Sequence, residues 1–208
     1  MSWLAEPRAS ATEVAHASAL QLLERNGVLT REAALAEGVE GGFAGVYPVL
    51  KALEERGQVR RGYFVAGLGA TQFALPGAVD RLRAQREASE APKAVVLAAT
   101  DPGQVYGASL SWPESSGRPA RAAGSMVVLV DGLAVAYLDR GGRSLLTFPG
   151  ALDDDLWADT LAGIVKDGRV RSLELHRIDG EPASTSPVAP MLRAAGFVDG
   201  YRGLILRS

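Results

Sequence analysis

The spacing of apolar residues changes near residue 88, and that change narrows the folds open to the chain more than any other feature. Before it, apolar residues recur at helical intervals. Residues 11–25 carry Val14, Leu20, Leu22 and Leu23 among alanines, with Thr12 as the expected N-cap and Gly27 as the stop. A second, short helix over 30–36 rests on Thr30 as its single cap, because Ala33 stands where a capping box has Glu. Gly41 and Gly42 break the chain ahead of a third helix over 43–56. Its Phe43, Val46, Val49, Leu50 and Leu53 share a face, and Pro48 lies inside it or near its first turn. Two strand-like runs, 59–65 and 71–75, flank a turn AGLGA with two glycines. Three helices and a hairpin in this order predict a winged helix, followed by one more helix over 78–87.

Beyond residue 88 the runs become short and rich in branched apolar residues, at 94–98, 125–130, 133–138 and 145–148, with turn signals at Asp131-Gly132 and Gly141-Gly142. They predict an antiparallel meander. A helix over 153–165 opens on Asp153, Asp154 and Asp155, where the macrodipole favours anions, and ends at Gly168. A strand over 172–178, a short helix over 187–195 closed by Gly196, and a strand over 203–207 complete the chain. The expected class is α+β, an N-terminal winged helix followed by an antiparallel β-barrel-like domain with two helices. The expected divisions are 1–10 as linker or tag, 11–87 as winged helix, 88–93 as linker and 94–208 as the barrel-like domain.

Several chemistries are excluded. Lys and Arg number 22 against 24 Asp and Glu, a formal charge of -2, so blanket attraction to phosphate is absent and any nucleic-acid site is a local patch. With no Cys and only His16 and His176, neither a Cys/His zinc site nor a thiol nucleophile can be built. Asp153 to Asp155 with Asp159 read as a solvated first helical turn, and both histidines as structural, so no metal is expected. No apolar run reaches a membrane span, and a cytoplasmic location is expected. Leu50, Pro92 and Val165 precede the three lysines, so no Gly-Lys pair exists to form a P-loop. Gly107-Ala108-Ser109-Leu110-Ser111 misses a nucleophile elbow at its last position.

Four segments carry a family resemblance: GQVRRGYFVAGLGATQFALPGAVDRLR (57–83), ATDPGQVYGASLSWP (99–113), VVLVDGLAVAYLDRGGRSLLTF (127–148) and AAGFVDGYRGLILR (194–207). In order and nearly end to end, they resemble the C-terminal region of the large helicase-related (Lhr) family of bacterial superfamily 2 helicases. Val105 and Ser111 stand where the family pattern has proline. The resemblance implies the last winged helix plus a β-barrel module of an ATP-dependent DNA translocase, with ATP and Mg at motor domains elsewhere and no cofactor in this chain. It also implies kinship with winged-helix DNA glycosylases. Their Gln, apolar residue, then Gln or Asp motif does not occur here, since Leu23, Arg60, Ala74, Glu87 and Tyr106 follow the five glutamines two residues on.

The expected role is a non-catalytic accessory module of a DNA repair helicase, with single-stranded or forked DNA and the remaining helicase domains as partners. The third helix exposes Lys51, Glu54, Glu55 and Arg56, two cations against two acids and so not a basic recognition helix, which makes the hairpin the better patch. There Arg60 and Arg61 can reach phosphates and Tyr63 can stack, although strand alternation sends the two arginines to opposite faces. One alternative is a structural module for self-association or docking. The other is part of a base-excision site, in which Asp101 is the catalytic carboxylate and Tyr106 and Trp112 line the loop as stacking surfaces. Against that use, Asp-Pro-Gly is a compact turn opener whose carboxylate is expected to accept from Gly103 or Gln104 amides.

Overall fold

The computed structural model describes residues 10–69, 71–85 and 91–208, and it divides into two compact units, Met1–Ala88 and Ser89–Ser208. The expected terminal linker, apart from Ser10, and residues 88–90 of the expected inter-domain linker lie outside the described residues.

The first unit runs α1 (Ala11–Asn26), β1 (Val28–Leu29), α2 (Arg31–Ala36), α3 (Gly42–Glu55), β2 (Arg60–Gly62), β3 (Gln72–Ala74) and α4 (Pro76–Ala84). Ser10, and not Thr12, caps α1. Its hydroxyl accepts from the Glu13 amide at 3.3 Å while Glu13 Oε2 accepts from the Ser10 amide at 2.7 Å, a full capping box that Thr12 lacks. That bond from the Ser10 amide holds the Glu13 carboxyl below its ordinary pKa. Thr30 caps α2, accepting from the Ala33 amide at 3.1 Å. Ala19, Leu22 and Leu23 of α1 and Val46, Leu50 and Leu53 of α3 meet in one buried core. Phe43, Tyr47 and Phe73 close its rim as an aromatic trio with ring centres 5.9 to 6.3 Å apart. The hairpin strands are shorter than their apolar runs, and β1 pairs on the far side of β3, giving a three-stranded sheet in the order β1-β3-β2.

The second unit continues with β4 (Ala94–Ala98), β5 (Met126–Val130), β6 (Leu133–Leu138), β7 (Ser144–Thr147), α5 (Leu156–Lys166), β8 (Ser172–Leu175), β9 (Arg177–Ile178), β10 (Glu181–Pro182), α6 (Ala189–Ala194), β11 (Val198–Gly200) and β12 (Gly203–Arg207). The β-barrel expectation is corrected here, because the strands form two open sheets. Six strands order as β10-β9-β7-β6-β5-β4 and three as β11-β12-β8. The expected strand over 172–178 is two strands, one in each sheet. The chain changes sheets at His176, whose amide donates to Arg143 O at 2.8 Å. Helix α5 touches β4 and β5 of one sheet and β12 of the other.

Helix α5 begins at Leu156, so the three aspartates precede it rather than form its first turn. Asp154 Oδ1 accepts from the Leu156 amide at 2.6 Å, an Asx-type bond that delays the helix. The central strands β5 and β6 are apolar on both faces, as a doubly covered sheet requires. Val96, Val128, Val135 and Leu138 join Trp157, Leu161 and Leu175 in the main core. Val127, Leu129, Ala134 and Tyr137 face the other way, into a second cluster. A bulge, with Val128 opposite Ala136 but Leu129 opposite Ala134, puts both Val135 and Ala136 on the α5 side.

Candidate nucleic-acid interface

The wing of the first unit is built from β2 and β3, with Arg60 opposite Ala74, Arg61 opposite Phe73 and Gly62 opposite Gln72. Regular pairing stops there, and Gln72 takes over. Wholly buried, its Oε1 accepts from the amides of Phe64 and Val65, each at 2.8 Å, and its Nε2 donates to Val65 O at 2.9 Å. The Phe64 ring lies over Gly62, where an added Cβ would sit 3.1 Å from it. With Phe64 turned in, Tyr63 is turned out and is 79% exposed.

The four cations and aromatics expected at this face separate. Arg61 Nε lies 3.2 Å from Glu54 Oε1 of α3. Lys51 approaches Glu55 at 3.9 Å, one turn away on α3. Exposed pairs of this kind contribute about 0.2–1 kcal/mol, so phosphate can displace them, but neither cation stands alone. Arg60 is exposed and, among the described residues, bonded to no acid. The open elements of the wing are thus Arg60 and Tyr63.

The loop between β4 and β5 is arranged differently. Tyr106 and Trp112, expected as stacking surfaces, are covered by the molecule itself. Trp112 stacks between Tyr106 at 6.0 Å and Phe148 at 6.1 Å and meets the Tyr137 edge at 5.5 Å. Tyr106 Oη donates to Gly132 O at 3.2 Å. Asp101 Oδ1 accepts from the Gly103 amide at 2.8 Å, the bond of an Asx turn. Gly107, with φ of 74°, is pressed to the Trp112 indole, where a Cβ would fall 2.3 Å from Nε1. Two residues passed over in the sequence hold this loop. Buried Gln104 donates to Ala99 O and Tyr106 O and accepts from the Tyr106 amide. Arg121 donates to Gln104 O and, at 3.1 Å, to Asp101 O. A neutral glutamine in a loop gives no periodic or charge signal, so its role is invisible until the backbone is placed.

Among the described residues no three metal-ligating side chains cluster, and no helix is long and apolar enough to cross a membrane. His176 Nε2 lies 3.1 Å from Glu174 Oε1 on the outer side of β8, and His16 is exposed on α1.

Comparison with known proteins places these features. Residues 8–94 match the family described as large helicase-related protein, winged-helix domain, the segment holding α1 to α4. A protein of Mycolicibacterium smegmatis named "Lhr helicase/ probable uracil glycosylase" is 47% identical over 221 residues, covering 99% of this chain. The chain belongs to the large helicase-related family. An Escherichia coli member, named "Lhr helicase/uracil glycosylase", is 33% identical over 201 residues and 93% of the chain. The large helicase-related chain described here spans only 15% and 13% of the lengths of these two relatives.

Proposed function

We propose that this chain is a non-catalytic accessory module of an ATP-dependent DNA repair helicase, engaging single-stranded or forked DNA for a motor carried elsewhere in the full-length protein. The observation that carries the reading is the wing, where an aromatic ring 79% exposed and a cation without an acid partner among the described residues project from a hairpin held by Gln72. A guanidinium for phosphate and a ring for a base face are what sequence-tolerant strand binding uses. The relatives' names, both of helicases, support a DNA substrate. ATP and Mg belong to the motor in this reading.

The test is binding of the chain to a fluorescent single strand and to a fork across a salt series. Tyr63→Ala weakens binding about fivefold or more, the low end of one stacked base. Arg60→Glu lowers affinity and flattens the salt slope by about one phosphate contact. Unchanged affinity and slope in both variants would remove the wing from the interface.

A second reading, that the chain forms part of a uracil-excision site, is favoured by the names of the same two relatives. Asp101 is its carboxylate in this chain. An assay on uracil-containing single-stranded DNA with Asp101→Asn separates the two readings.

A further inference from the structure

A second aromatic surface opens beside the wing. A cleft of about 560 Å3 lies between α2 and the start of α3, lined by Arg31, Leu35, Phe43, Tyr47, Pro48 and Thr71, with the bare backbone of Gly41 and Gly42 along one wall. Among the described residues no acid lines it, in a chain whose net charge is -2. Leu35 stands at its edge 76% exposed, an apolar side chain that the winged-helix core does not use. Arg31 forms no ion pair, and the hydroxyls of Tyr47 and Thr71 have no hydrogen-bond partner, among the described residues. Apolar walls with a few convergent, unengaged polar groups are the make-up of a ligand site.

We propose that this cleft receives one unstacked nucleobase of a single DNA strand, its ring against Tyr47 and Leu35 and its phosphate on Arg31. The inference rests on the DNA-engaging reading above and extends it from the wing to a defined subsite. Charge selects the occupant, since a cation at the mouth and no lining acid suit a phosphate-bearing chain. Shape selects the single strand, since a base held in a duplex stack cannot enter a concave site without being extruded. Continuity with the wing supports the path. Gly62 pairs with Gln72, so Tyr63 follows one strand where Thr71, which lines the cleft, precedes the other. A strand stacking one base on Tyr63 thereby has a second aromatic station close by.

The experiment compares a labelled thymidine strand of roughly 12 nucleotides, within the usual span of such sites, with a duplex of similar length. The chain carries Leu35→Glu, Tyr47→Leu or Tyr63→Ala, and thermal melting verifies that each variant is folded. Leu35→Glu places a carboxylate at the cleft mouth and Tyr47→Leu removes the ring. Each raises the Kd for the single strand at least about fivefold and leaves duplex binding unchanged. Single-strand affinity that is unchanged in both variants, while Tyr63→Ala weakens it, overturns the cleft and leaves the wing reading standing. An equal loss on duplex and single strand overturns the base pocket as well, because it reports only general charge. No binding of either DNA by the unmodified chain removes both readings.

Discussion

Two loops in this chain are organised by the same device and end in opposite states. In the wing, Gln72, with no exposed surface, ties Phe64, Val65 and Gly69 to the end of β3; in the second unit, Gln104, 1% exposed, ties Ala99 to Tyr106. Each glutamine uses both ends of its amide to satisfy backbone groups that have left a ladder. Each loop carries aromatics. Yet Tyr63 faces solvent, whereas Tyr106 and Trp112 are packed with Tyr137 and Phe148. What differs is the surface beneath. Sheet β4 to β7 has an apolar second face, Val127, Leu129, Ala134 and Tyr137, that no helix among the described residues packs on, and the loop after β4 lies down on it. The wing extends past the end of its short strands and has no such face to cover. An aromatic residue in a glycine-bearing loop therefore stays exposed where no bare apolar face lies beneath it, as Tyr63 does.

Replacing Trp112 attacks this comparison at its strongest point. Trp112→Ala removes the ring shared by Tyr106, Tyr137 and Phe148 and leaves a void under the loop, destabilising the second unit by about 3 kcal/mol. Tyr63→Ala changes stability by under about 0.5 kcal/mol, as surface substitutions do. Urea unfolding followed by circular dichroism measures both. Equal effects would mean that the two loops are not in opposite states.

The two glutamines give the next largest effect and sharpen the contrast. Leucine at either position strands buried backbone groups, which costs about 2 kcal/mol. The readouts then diverge. Gln72→Leu frees the wing and also weakens single-strand binding. Gln104→Leu loosens only the loop lying on the sheet and leaves that binding as it was. A loss of DNA affinity in Gln104→Leu would bring the second unit into the interface.

How far the sequence reveals these arrangements depends on the length of each signal. The helices α1 and α3 were legible because several apolar residues repeat over more than two turns and glycines stop them. The cap of α1 was legible too, since Glu13 stands three residues after Ser10 as a capping box requires while Ala15 stands three after Thr12, and the expectation of Thr12 overlooked that pattern. Two-residue strands such as β1, β9 and β10 are too short to show a period. LELHRI alternates without interruption, so nothing local marks His176 as the point where the chain leaves one sheet for another. At that crossing the strands divide between two open sheets instead of continuing one barrel-like sheet. Among the site residues, strand alternation alone predicts that Arg60 and Arg61 face opposite ways. The engagement of Arg61 by Glu54 needed the approach of α3, which no short-range pattern encodes.

The smallest expected effect is at Asp101, and it tests whether the covered loop has any chemistry. Its Oδ1 holds the Gly103 amide at 2.8 Å, and Arg121 reaches the backbone oxygen of Asp101, leaving its carboxylate without an ion pair among the described residues. Asparagine keeps an oxygen in the same place, accepts the same amide and is equally at home before Pro-Gly, so the turn survives. No charge pairing is lost. Stability changes by under about 0.5 kcal/mol, and single-strand affinity is unchanged. A carboxylate that positions water against a sugar's developing cation would behave differently, because the neutral amide cannot stabilise that charge. Excision of uracil from single-stranded DNA by the unmodified chain, abolished in Asp101→Asn with its melting temperature intact, would make the loop after β4 a catalytic element despite its packing. Unchanged behaviour in the variant assigns Asp101 to the turn that lets Tyr106 and Trp112 cover the sheet.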